Sequence, residues 1–415
     1  MKNLFLFVLI VVGVTHSQAS EPKFPKISFV KPAGREPASV REKSRRSTVL
    51  FAAKKDLTPE QKKKLDRVLE KFDIKVEGML AEGAVNFAKA LKHPGVSEEE
   101  IVEELKNTGA MEFAEPDTLV YPSLVPNDPY AGQQWHHQNI GSYRAWDIQR
   151  GVSAVIVASC DTGVQPNHPD LRSILMTAYN SETNSNKNLL PVNSHGTVTA
   201  GAIAAALNNR VGVAGVGGGV RILPIKISNA ENGAAYFSAI TSCITYAANR
   251  GAKVVNLSYG GTESAAVSSA AKYLRSKGGI LVVAAGNDGM DTSANLDYSS
   301  IYVVSATDQQ DMLLSWSNRG TPTDIVAPGV DILTTDLGGG YTFASGTSLA
   351  APLVAGAAAL VYSVNPKFTP TQVESILSNS AQKALIAYDK NTYGAGRLDV
   401  EAAVKRAKAS IPSRR

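Results

Sequence analysis

The run SGTSLAAPLVAGAAALVYSV, Ser345 to Val364, decides the fold. From Leu349 onward it holds no charge and is dominated by alanine and glycine, and Asn365-Pro366 ends it. A helix without a polar face has to be surrounded by protein, and the sixteen residues from Leu349 to Val364 fall short of the ~20 that a bilayer core requires. The segment therefore reads as a helix through the middle of a globular domain. Pro352 fits near its amino end, where the first-turn N–H groups lack intrahelical partners and little pairing is lost. Ser348 opens this helix, so its hydroxyl sits among outward-pointing backbone N–H groups, a setting that favours an oxyanion. A serine in that position more often simply caps the helix.

Upstream, short apolar runs alternate with helical stretches. The runs are Ala154 to Ser159, Ile222 to Ile227, Val254 to Leu257, Ile280 to Ala284, Tyr302 to Ser305 and Ile325 to Ala327, and residues 233–250 and 264–277 read as helices. That alternation indicates an α/β fold with a parallel sheet covered on both faces. Ligand and catalytic groups in such a sheet gather at the carboxyl ends of its strands. Asp161 follows the first run, in Ser159-Cys160-Asp161-Thr162-Gly163, and Asn287 follows the fourth, in Ala284-Ala285-Gly286-Asn287. His195, in Asn193-Ser194-His195-Gly196-Thr197, precedes a small-residue stretch suited to a tightly packed helix. Taken singly, each has an ordinary reading as a turn cap, a structural histidine or a left-handed turn residue. Taken together, they supply what makes a serine a nucleophile: a base for its proton, an acid that fixes the base's tautomer, and an amide donor for the developing negative oxygen.

The 415 residues suggest two or three domains. With 44% hydrophobic and 19% charged residues the composition is that of a globular protein, and a net charge of +5 spread over the chain provides no basic stripe for nucleic acid. Lys2, the apolar Leu4 to Val14 and the small, polar Thr15 to Ala19 form a signal peptide, residues 1–19, so a secreted protein is expected, with no membrane span once the signal is removed. Residues 20–46 are a basic, proline-rich linker.

Residues 47–121 read as a small α+β domain. Its elements are a strand at Thr48 to Ala52, a helix opened by Thr58-Pro59-Glu60 with Leu65, Val68, Leu69 and Phe72 inward, a helix from Ser97 capped with Glu100, and a strand at Met111 to Phe113. Prolines 122, 126 and 129 mark the boundary. Residues 122–127 form a linker, 128–404 the second domain and 405–415 a solvated basic tail. Cys160 and Cys243 each lie in an apolar run and read as two buried free thiols, a bridge between them being the less favoured alternative.

Asp161-Thr162-Gly163, His195-Gly196-Thr197 and Gly346-Thr347-Ser348-Leu349-Ala350-Ala351-Pro352, in that order along the chain, resemble the three signatures of the subtilase family. The resemblance covers residues from about 127 to 404. It implies a subtilisin-like three-layer α/β fold, with a parallel seven-stranded sheet flanked by helices. It also implies a monomeric serine endopeptidase that acts on protein or peptide substrates through an acyl-enzyme and needs no cofactor for catalysis. Asp161, His195 and Ser348 would be the triad and Asn287 the oxyanion donor. Two departures stand out: Val198-Thr199 where many members have histidine and valine, and Leu349 where many have methionine. Neither removes a reacting group.

The remaining expectations also come from the resemblance. Residues 47–121, ending in Ala114-Glu115-Pro116-Asp117, are similar to the family's inhibitory propeptide, which would template folding, block the cleft and leave by self-cleavage between about Tyr121 and Asn127. Ser258, Tyr259 and Gly260 resemble the strand that pairs with an extended substrate, and with Ala284 and Gly286 they would line the first specificity pocket, its floor coming from Asp291 to Ser300. Asp128, Asp170, Leu207, Asn209, Val211 and Val213 resemble a structural calcium site of oxygen ligands, the alternative being a loop held by ordinary turn chemistry. Two other functions stay open: a processing protease selective for basic residues, which needs an acidic pocket, and a catalytically dead binding protein that keeps the fold.

Overall fold

Strands buried on both faces have to be apolar at every position, and the runs above become strands of that kind. The computed structural model describes residues 48–54, 56–72, 74, 76–79, 88–91, 98–116, 124–260, 263–293, 299–383 and 388–411. The expected signal peptide, the 20–46 linker and the Ser97 cap lie outside the described residues. The chain divides into two compact units, residues 1–121 and 122–415.

The first unit runs Thr48–Ala53 (β1), Pro59–Lys71 (α1), Val76–Met79 (β2), Ala88–Leu91 (β3), Glu98–Asn107 (α2) and Met111–Pro116 (β4), with sheet order β2-β3-β1-β4. The sheet pairs are antiparallel, and the β-α-β-β-α-β order is a split βαβ arrangement. α1 begins as its sequence dictates: Thr58 accepts from the Gln61 N–H, the Gln61 side chain accepts from the Thr58 N–H, and Pro59 takes the first helical position. Val49 and Phe51 of β1 pack with Leu65 and Val68 of α1, Ile101 and Leu105 of α2 and Met111 of β4.

In the second unit, Trp135–Asn139 (α3) and Ser142–Ile148 (α4) lead into Ile156–Asp161 (β5), Tyr179–Asn180 (β6), His195–Ala204 (α5) and Arg221–Lys226 (β7). Phe237–Asn249 (α6), Val254–Leu257 (β8), Ala265–Ser276 (α7), Ile280–Ala284 (β9), Ile301–Thr307 (β10) and Thr323–Pro328 (β11) complete the α/β succession. The seven strands pair in parallel in the order β11-β10-β9-β8-β5-β7-β6. Side chains alternate across the sheet. Val157, Val254 and Val282 join the core under α5, whereas Ala158, Val255 and Val283 join the core under α6 and α7.

Downstream come Ile332–Thr335 (β12) and Tyr341–Ala344 (β13), an antiparallel hairpin, then Thr347–Val364 (α8), Pro370–Ser380 (α9), Lys390–Tyr393 (α10) and Val400–Ala409 (α11). Among the described residues α8 is the one helix long and apolar enough to cross a bilayer, yet 89% of it is buried inside the unit. It is the central helix its composition demands.

Three readings need correction. Cys160 of β5 and Cys243 of α6 form a disulfide, with Cα atoms 6.1 Å apart, and are not free thiols. The expected tail at 405–415 begins as helix: α11 runs to Ala409, Ala407 is fully buried, and Lys405 pairs with Glu401 one turn back at 2.7 Å. The Asp399 cap and that i,i+4 pair extend the helix past the point where its charge suggested solvent. The expected linker at 122–127 is anchored from Leu124 onward, Leu124 N–H donating to Asp147 and Asn127 N–H to the Asn208 side chain, both at 3.0 Å.

Candidate active site

The carboxyl end of β5 carries Asp161, which is fully buried. A buried carboxylate needs donors on both oxygens, and three are supplied. Oδ1 accepts the Thr162 N–H and the His195 Nδ1–H, each at 2.7 Å, and Oδ2 accepts the Thr199 hydroxyl at 3.0 Å. His195 is the first residue of α5 and Thr199 lies one turn later, so helical spacing brings both to the same carboxylate. The negative charge of Asp161 raises the imidazole pKa above its ordinary value. Because Nδ1 carries the bonded proton, Nε2 presents a lone pair. Gly196 leaves no room between α5 and β5: a Cβ there would come within 2.2 Å of the Gly163 carbonyl oxygen.

Ser348 is the second residue of α8, and Gly346, at φ 149°, is the cap, so Ser348 is not the capping residue. Pro352 has no N–H for the carbonyl four residues back, which is that of Ser348. The Ser258 hydroxyl fills the gap, donating to the Ser348 carbonyl at 2.9 Å. The Ser348 hydroxyl in turn donates to the Ser258 carbonyl at 3.4 Å. It does not bond to His195, so of the expected serine–histidine–aspartate row only the histidine–aspartate bond is present. A hydroxyl rotates about one bond, and such links commonly tighten only around a bound substrate. The two halves of the site adjoin through residues 258 and 259, since the Tyr259 ring stands edge-on to His195 with centroids 5.8 Å apart.

Asn287 lies beyond the end of β9 and is exposed. Its Oδ1 accepts both the N–H and the hydroxyl of Thr347, each at 2.9 Å, which turns the amide NH2 away from Thr347. A Cβ on Gly346 would lie 3.5 Å from the Ser348 nitrogen and 3.7 Å from Asn287 Nδ2. The bare glycine thus leaves open the space next to two donors, the Asn287 amide and the Ser348 N–H at the helix terminus.

The expected pocket residues divide. Gly260 is exposed with nothing within 4 Å of a Cβ, and the Tyr259 hydroxyl reaches across to the Gly233 carbonyl at 2.8 Å. Ala284 is buried in β9. Ser258 is buried with its side chain committed to Ser348, so only its backbone is free to line a pocket. The Gly286 N–H and carbonyl are both taken, by Thr347 and Asn318. Part of the expected floor, 294–298, lies outside the described residues. Thr199 and Thr347 were not singled out as site residues by sequence reasoning. Each carried a faint signal, a hydroxyl one turn after the histidine and one directly before the serine.

The expected cation ligands converge. Asp128 accepts the N–H groups of Asn208 (2.9 Å) and Asn209 (3.1 Å), while Asp170 accepts the Asn209 amide nitrogen (2.6 Å) and the Val213 N–H (2.8 Å). Burial raises both carboxyls, Asp170 to about 6, and Asp128 adds repulsion there. Among the described residues, no donor reaches the carbonyls of Leu207, Val211 and Val213. The Tyr341 hydroxyl is packed against Gly212 and lies within electrostatic reach of both carboxylates. Two buried carboxylates and three open carbonyls fit a hard cation. Asn209 departs from the expected set, its Oδ1 accepting the Val211 N–H at 2.7 Å.

The family model for the subtilase family matches residues 152–396. The chain is 41% identical over 268 residues to a thermophilic serine proteinase of Bacillus sp. (strain AK1), covering 64% of this chain and 66% of that protein. It is 38% identical over 289 residues to thermitase of Thermoactinomyces vulgaris, covering 68% and 99%. Among solved structures, a protease from Pseudoalteromonas arctica PAMC 21717 superposes with a TM-score of 0.63 at 30% identity, covering 68% of this chain and 100% of that one. With that match over more than half its length, the chain belongs to the subtilase family, the subtilisin-like serine endopeptidases.

Proposed function

We propose that this subtilase is exported, is made as a zymogen and cleaves peptide bonds with Ser348 as nucleophile, His195 as general base, Asp161 as the orienting acid and Asn287 as oxyanion donor. The observation that carries the reading is the 2.7 Å bond from His195 Nδ1–H to the buried Asp161, which leaves Nε2 as acceptor beside the segment that holds Ser348. Attack of Ser348 Oγ on the scissile carbonyl passes its proton to Nε2. The carbonyl oxygen, now negative, takes hydrogen bonds from the Asn287 amide and the Ser348 N–H. Collapse of the tetrahedral species breaks the C–N bond, and His195 returns its proton to the leaving amine. Water, deprotonated by the same Nε2, then hydrolyses the acyl ester and releases the acid and free Ser348.

Export rests on the leader at 1–19, and the zymogen reading on the split βαβ unit ahead of residue 122. Because Leu124 and Asn127 are bonded within the second unit, self-cleavage falls before Leu124. A structural calcium ion would be held by Asp128, Asp170 and the carbonyls of Leu207, Val211 and Val213, and its chemistry is to neutralise those carboxylates. Hydrolysis of an extended peptide tests the catalytic reading. Ser348→Ala should leave only the residual of on the order of 10³–10⁴ over the uncatalysed rate. Undiminished turnover would reject the assignment, and a wild-type protein without turnover would indicate a dead fold.

A further inference from the structure

We infer that Thr199 is a positioning residue for catalysis: its hydroxyl grips the second oxygen of Asp161 and sets the direction in which the carboxylate holds His195. The inference rests on the triad reading above and adds a fourth member to it.

Asp161 is fully buried at a strand end, and its two oxygens are treated differently. Oδ1 takes the imidazole and the backbone N–H of Thr162, whereas Oδ2 takes Thr199 Oγ1 at 3.0 Å. The same hydroxyl has one other acceptor, the Gly196 carbonyl at 3.3 Å. It carries a single proton, and a carboxylate is the stronger acceptor and here the nearer one. Without that donor, rotation about the Cβ–Cγ bond of Asp161 is restrained from Oδ1 alone. Thr199 is itself fully buried, and its position on α5, four residues after His195, makes one helix grip both oxygens. Valine has the same branched shape as threonine, so Thr199→Val removes the hydroxyl and keeps the side-chain outline.

The other titratable groups that face His195 are few. Among the described residues they are Asp161 from β5 and Tyr259 from the loop after β8, the latter with its hydroxyl tied to Gly233. With its donor removed, Asp161 concentrates its charge on the imidazole and favours the protonated base. The acid limb of kcat/KM, where His195 loses its proton, should then move to higher pH.

The test uses the mature enzyme, with active sites counted by a fluorophosphonate. Thr199→Val should lower kcat about tenfold with KM unchanged, shift the acid limb upward, and shift the low-field NMR resonance of the His195 Nδ1 proton. Thr199→Ser, which keeps the hydroxyl, should restore kcat to within about twofold and restore the limb. If Thr199→Val does not fold, Thr199→Ala compared with Thr199→Ser supplies the same readouts. Parental kcat and an unmoved acid limb in the hydroxyl-free variant would overturn the inference. Should Asp161→Asn also retain parental activity, the triad reading itself falls, which distinguishes the two failures.

Discussion

Ser348 sits in a helix that gives up one hydrogen bond. Pro352 leaves the Ser348 carbonyl without a helical donor, Ser258 supplies one, and the second residue of α8 is fastened to the residue directly after β8. Asp161, His195, Ser348 and Asn287 were singled out in the sequence as lying where a strand ends or a helix starts, and the structure places each at such an end; the roles given to them are those proposed above. Thr199 and Thr347 were not singled out, since a threonine hydroxyl inside a helix usually bonds its own backbone, and only coordinates show that these reach Asp161 and Asn287. His136 and His137 lie in α3. Both are buried, and His136 has no partner for either ring nitrogen. Burial lowers both pKa values, that of His137 to about 4. The unfolded chain takes up protons near pH 6.5 while the native state does not, so stability present above 6.5 is lost as pH falls toward 4. For His137 the loss is about 3 kcal/mol. Thermal unfolding of fluorophosphonate-inactivated protein between pH 7 and 4.5 should show this fall, and His136→Phe should flatten it. An equal slope in both would contradict the account.

At the scale of elements, β5 does the most: its central place between β7 and β8 fixes Asp161, and Cys160, one residue earlier, points to the opposite face and bonds to α6. The strands were legible because burial on both faces leaves continuous apolar runs, and α8 because nothing in it could face water. The hairpin β12–β13 was missed because its strands are four residues each and half of β12 is threonine. Helix extent failed at α11, where charge suggested solvent but a cap and an ion pair prolonged the helix. The disulfide was unreadable because a buried thiol and a buried bridge occupy the same kind of apolar run. It closes a loop across a separation of 83 residues, which in the loop-entropy account contributes about 4 kcal/mol. The Cys160→Ala, Cys243→Ala double variant should therefore unfold at a midpoint about 10 °C lower. Denatured, unreduced wild type should show no reactive thiol, and two thiols in that assay would refute the bridge.

At the scale of the whole molecule, Asp128 and Asp170 stand out among the described residues as buried carboxylates reached by no charged side chain. Both are buried, neutral donors alone reach them, and the loop carbonyls between them are open. Calcium at a hundred times its dissociation constant would stabilise the native state by about 2.7 kcal/mol. A chelator should then lower the unfolding midpoint of the inactivated protein by about 5–10 °C, while Asp170→Asn should show almost no response to calcium; a wild-type midpoint indifferent to both would remove the ion from the account. The central claim remains that residues far apart in sequence act as one nucleophilic centre. Its most direct test is mass-spectrometric mapping of the adduct formed by a fluorophosphonate on the mature protein. The account predicts a single modified residue, Ser348, with labelling lost in His195→Ala; modification elsewhere, or undiminished labelling without His195, would contradict it.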